Sequence, residues 1–66
     1  MKIRFDAATD ALYIRLDEAA IDSTVEAMPG LNLDLDDSGR VVGIEMLAVR
    51  HRLPHADLTK VEFDAA

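Results

Sequence analysis

The chain has 66 residues, half of them apolar and 30% charged, with no cysteine. That is enough for one small domain, residues 1–66, which buries only about 60% of the surface its unfolded form exposes and has no disulfide to supplement its core. The formal net charge of −6 argues against direct binding to nucleic acid or to anionic membrane surfaces, both of which select basic patches.

The dominant signal along the chain is an alternation of period two, which marks strands with one buried and one wet face. Ile3 and Phe5 alternate with Lys2 and Arg4, and Leu12, Ile14 and Leu16 alternate with Tyr13 and Arg15. Thr24 to Met28 is a weaker run carried by Val25 and Ala27. Leu31, Leu33 and Leu35 alternate with Asn32 and Asp34, and Val42, Ile44 and Met46 alternate with Gly43 and Glu45. Turn-forming residues separate these runs at Asp6–Asp10, Pro29–Gly30 and Asp36–Gly39. The spacing predicts a mainly β fold: a five-stranded antiparallel meander over residues 1–49, followed by a C-terminal segment, 50–66, which makes the fold α+β if it is helical.

Parity sets the pairing. A four-residue loop, Ala7 to Asp10, places Phe5 opposite Leu12, Ile3 opposite Ile14 and Arg4 opposite Tyr13, whereas a one-residue slip sends these apolar groups to opposite faces. The same reasoning pairs Leu35 with Val42 and Leu33 with Ile44 around a loop containing Gly39, which can adopt the positive φ such loops need. Pairing Ala27 with Leu31 and Val25 with Leu33 requires a three-residue connection, in which Pro29 fits a type I turn poorly; the geometry of that turn stays open. Beyond Met46 the alternation ends. Pro54 suits a helix start, so a helical turn is expected over about Pro54 to Leu58, then a short strand with Val61 and Phe63 on one side.

Two motifs suggest metals, and both lack the right context. Asp34, Asp36, Ser38, Gly39 and Glu45 have the spacing of a calcium-binding loop. However, Pro29–Gly30 blocks an entering helix, and in an extended hairpin Glu45 lies far up the returning strand. His51 and His55 have the i, i+4 spacing of a zinc pair, but Pro54 interrupts any helix through both. No metal and no cofactor is expected. Ser23 and Ser38 are expected in turns and Tyr13 points outward, so no catalytic residue is assigned and the expectation is a protein without enzymatic activity. The outward strand faces carry Arg4, Tyr13 and Arg15 on the first hairpin and Asp34 and Glu45 on the later one. These five form the candidate partner-binding face, since Tyr and Arg are favoured at interaction hot spots. The bland alternative is cross-strand pairing that keeps a sheet wet on one side.

The stretches Ile3-Arg4-Phe5-Asp6, Asp10 to Leu16, Pro29-Gly30, Asp34, Asp36 and Gly39 to Glu45 resemble the short bacterial proteins grouped as domain of unknown function 2283. The resemblance covers about residues 1 to 50 and implies a small antiparallel β protein, with no family catalytic residue to carry over. Members similar to this chain are sometimes encoded beside small toxin-like proteins, which implies an antitoxin-like role with a protein partner.

The expectation from sequence is therefore a cytoplasmic protein-interaction module, assembled as a homo-oligomer, with a dimer favoured. The start of the chain, Met1 to Asp6, has no apolar run of the secretory kind. An alternative is an acidic inhibitor that mimics nucleic acid and blocks a basic groove. That role requires Asp17, Glu18, Asp34, Asp36, Asp37 and Glu45 to share one surface.

Overall fold

The computed structural model describes residues 1–66. Five strands, β1 (Lys2–Asp6), β2 (Ala11–Arg15), β3 (Ser23–Met28), β4 (Leu31–Leu35) and β5 (Val41–Met46), form one antiparallel sheet, followed by a single helical turn, α1 (Val49–Arg52). The five runs of alternation are the five strands, and the fold is mainly β with a short helical turn.

The order across the sheet is β1-β2-β5-β4-β3. This departs from a continuous meander at one point. β3, β4 and β5 follow one another, but β2 pairs with β5, and residues 16–22 carry the chain across to the far edge. Backbone bonds help to hold that crossing: the amides of Leu16 and Asp17 donate to the Val42 carbonyl at 2.8 and 3.3 Å, and the Asp22 amide donates to Leu35 O at 2.8 Å.

The β1–β2 register is the expected one: Ile3 opposite Ile14, Arg4 opposite Tyr13 and Phe5 opposite Leu12. The turn is closed by Asp6, whose Oδ1 accepts from the amides of Ala8 and Thr9 at 3.0 and 3.4 Å. Two pairings differ from the parity scheme. Val25 faces Leu33, but an irregularity between Glu26 and Met28 sets Met28, rather than Ala27, opposite Leu31. This leaves the two-residue loop Pro29–Gly30, with Gly30 at φ 81°, as position i+2 of a type II turn requires. Leu33 faces Ile44, but a second irregularity sets Leu35 opposite Val41 instead of Val42. Asp36 causes this shift by drawing the loop tight. Its amide donates to Arg40 O at 3.0 Å, and its Oδ1 accepts from the amides of Ser38 and Arg40, both at 2.9 Å.

In these registers the apolar residues line up in two rows that cross all five strands. One is Ile3–Ile14–Ile44–Leu33–Val25 and the other Phe5–Leu12–Met46–Leu31–Met28. None of the ten is fully buried. The buried apolar side chains are Val42 and Val49.

Val49 belongs to α1, which lies at Val49–Arg52 rather than at Pro54 to Leu58. Ala48, in left-handed conformation at φ 52°, turns the chain into it. Asp10 then anchors it: Asp10 O accepts from Val49 N at 3.1 Å, and the Asp10 carboxylate takes the Arg50 amide at 3.2 Å and the Arg50 guanidinium at 3.6 Å. The Arg50 guanidinium also sits 5.5 Å from the centre of the Phe5 ring, within cation–π range. Arg52 donates to the Pro29 carbonyl, so α1 ties the β1–β2 turn to the β3–β4 turn. The expected strand around Val61 and Phe63 does not form. Instead Leu53, Ala56, Leu58 and Val61 lie across a groove of about 480 Å³ from Ile3, Phe5, Leu12 and Ile14. No helix is long and apolar enough to cross a membrane.

Candidate functional site

The face opposite the two apolar rows is polar and is likewise ordered in rows. Lys2, Arg15, Gly43, Asp34 and Thr24 form one, and Arg4, Tyr13, Glu45, Asn32 and Glu26 the next. All five residues picked out in the sequence, Arg4, Tyr13, Arg15, Asp34 and Glu45, stand on this one face. Local alternation puts each outward on its own strand, and the β2–β5 pairing brings the two hairpins together.

The centre of the face is a bridge over Gly43. Tyr13 comes from β2 and Asp34 from β4, on either side of β5, and the Tyr13 hydroxyl donates to Asp34 Oδ2 at 2.7 Å. A side chain on the intervening strand would block this contact. A Cβ built at Gly43 would fall against the Tyr13 hydroxyl and 3.0 Å from Asp34 Oδ2. Glycine in a strand interior is unfavourable for the strand and often marks a close approach of other groups; here the approaching groups are Tyr13 and Asp34. The second carboxylate oxygen, Oδ1, accepts from the Thr24 hydroxyl on β3 at 2.7 Å. One network thus spans four of the five strands. Alongside it, Asn32 Nδ2 donates to Glu45 Oε1 at 3.2 Å.

These contacts set the charges. The Thr24 and Tyr13 hydroxyls, with Arg15 nearby, hold the Asp34 carboxyl below its usual range. The bond to Asp34 is also the main reason that the Tyr13 phenol is pushed above its usual 10.0, with partial burial adding to it. At neutral pH Asp34 is ionised with a partner on each oxygen, and Tyr13 is a neutral donor already engaged. Neither is set up as a base or a nucleophile. Arg15 donates through Nη2 to Ala19 O at 2.5 Å, while its Nη1 is buried without a partner. None of the three surface hollows is lined by Tyr13, Arg15 or Asp34.

The carboxylates of the calcium-like spacing are used separately. Asp34 binds two hydroxyls, Asp36 closes the β4–β5 turn, and Glu45 faces Asn32. No group of three or more His, Cys, Asp or Glu side chains is placed to hold a metal ion. Thr24, Glu26 and Gly43 join the five on this face, beyond what alternation alone singled out. The glycine between Val42 and Ile44 was the available clue.

Fold and face together define a single-layer antiparallel sheet with one aliphatic side and one mixed-charge, hydroxyl-bridged side. The family described as Protein of unknown function (DUF2283) matches residues 2–50, the five strands and the start of α1, and the chain belongs to it. No curated protein and no solved structure matches the chain.

Proposed function

We propose that the chain is a small protein-interaction module, antitoxin-like in acting by occupying a partner, with no chemistry of its own, and that its polar face makes the contact. The observation that carries this reading is the Tyr13–Asp34–Thr24 network over Gly43. It holds a tyrosine in place in the middle of a face that also presents the exposed Arg4, with Arg15 and Glu45 half-buried beside it. Rigid aromatic and arginine side chains lose little entropy on binding and dominate interface energetics. The mixed sign of the face supports an ordinary protein partner. Nucleic-acid mimicry receives no such support, because Asp36 is turned into its own loop and 8% exposed, while Asp34 and Glu45 are already partnered.

The test is affinity capture with the wild-type chain and with Arg4→Glu, whose site is exposed and whose fold circular dichroism can verify. The expected result is one stoichiometric partner on the wild type and its loss from Arg4→Glu. Equal recovery of that partner on both overturns the assignment of the polar face.

A further inference from the structure

We infer that the opposite, aliphatic face is covered by a second copy of this chain, giving a two-fold dimer of stacked sheets with the polar faces outward. A compact monomer of 7.3 kDa exposes about 4,200 Å² by the size scaling of folded proteins. This chain exposes 5003 Å², an excess of about 800 Å², which is close to what each partner contributes to a standard stable interface. The shape agrees. The radius of gyration is 12.7 Å, against about 11 Å for a compact chain of this length, and the molecule is a slab of 35 × 32 × 20 Å.

Exposed apolar surface lies on the row ends and on the tail, whose residues 59–66 are exposed throughout. The ten residues of the two rows are all apolar, and the row ends Ile3, Val25 and Met28 are 42%, 43% and 54% exposed. Val61 and Phe63 on the tail stand out further. A sheet with one apolar face requires a second layer. The helical turn covers the end of the sheet, and the tail stands across a groove from β1 and β2 that leaves Ile3 exposed, as Val25 and Met28 are on β3. The rows contain no charge to select a charged partner, and an aliphatic face is complementary to itself. Two such sheets pack about 10 Å apart with their side chains interdigitated. The interface is isologous, each copy contributing the same rows.

Sedimentation equilibrium and thermal melts across the micromolar range test this. The expected results are twice the chain mass and a melting midpoint that rises with protein concentration, as a folding-linked dimer requires. A single-chain mass with a concentration-independent midpoint overturns the proposal. Three variants locate the contact. Val25→Lys and Ile3→Lys place like charges across the proposed interface and should weaken association by about 100-fold or more. Glu26→Lys, next along β3 but on the polar face, should leave the mass unchanged. Equal loss in Val25→Lys and Glu26→Lys, with none in Ile3→Lys, assigns association to the β3 edge and overturns the face-to-face arrangement. Because the readout is self-association, it stands or falls independently of any partner on the polar face.

Discussion

Gly43 organises the polar face through the side chain it lacks. Adding a methyl group at this position forces Tyr13 and Asp34 apart, so Gly43→Ala should destabilise the fold by about 1–3 kcal/mol, the cost of unmaking a hydrogen bond to a charged group. Tyr13 is the only tyrosine, and there is no tryptophan, so phenolate absorbance reads this residue alone. Its midpoint should lie above 10.0 in the wild type and fall towards that value in Gly43→Ala. The linkage follows from the direction of the shift. With the folded phenol raised, its contribution to stability is complete below the unfolded value and is lost as pH rises through the folded one. Urea midpoints should therefore fall above about pH 10, and less so in Tyr13→Phe. Ala48 is the converse case, a side chain where glycine belongs. Its φ of 52° costs about 1–2 kcal/mol, against about 0.5–1 kcal/mol for the added chain entropy of glycine. Ala48→Gly should stabilise by about 0.5–1 kcal/mol in denaturant titrations.

At the scale of elements, the strands are held by their rows more than by their individual propensities. Ile44 sits at the middle of its row, with Ile14 on one side and Leu33 on the other. Ile44→Asp places a charge among aliphatic neighbours at a cost of at least several kcal/mol, comparable with a total stability of about 5 kcal/mol for so small a domain. Loss of the far-ultraviolet β signal at room temperature is the expected result, whereas Arg4→Ala, on the opposite face, should melt within about 0.5 kcal/mol of the wild type. Asp34 does not behave as an ordinary exposed carboxylate. Parity alone predicts an effect under about 1 kcal/mol for Asp34→Ala, but with two hydroxyls bound to it the expected loss is about 1–3 kcal/mol.

For the whole molecule, acid is the sensitive side. Backbone amides hold the carboxyls of Asp6 and Asp36 below their usual range, and hydroxyls do the same for Asp34 and Asp57. A carboxyl depressed on folding contributes stability that is present above its unfolded value and lost as pH falls through its folded value. Urea midpoints should be level near neutrality and decline below about pH 4. Asp36→Ala should lower the plateau and flatten that decline, because this carboxylate holds two amides of the β4–β5 turn.

The sequence by itself determined the strands and their faces. Alternation of period two is a local property, and it shows which residues point inward in four of the five runs; in the third, Val25 keeps its expected side but Met28 takes the place expected for Ala27. Parity was also sufficient for the β1–β2 hairpin, where only one short loop keeps Ile3 and Phe5 on the same face as Ile14 and Leu12. Membership of the family was legible in the same residues. The tertiary structure decided the rest. The pairing of β2 with β5 leaves every face assignment unchanged, so no pattern of alternation distinguishes it from a meander, yet it alone brings Tyr13 within reach of Asp34. The irregularities beside Ala27 and Leu35 depend on the tight turns at Pro29–Gly30 and Asp36, which alter pairing without altering composition. The helical turn begins after Ala48 rather than at Pro54 because Asp10, distant in sequence, receives the first amides of α1 and the guanidinium of Arg50. A helix of one turn has too few internal bonds to set its own position, and this one is placed by the sheet against which it docks.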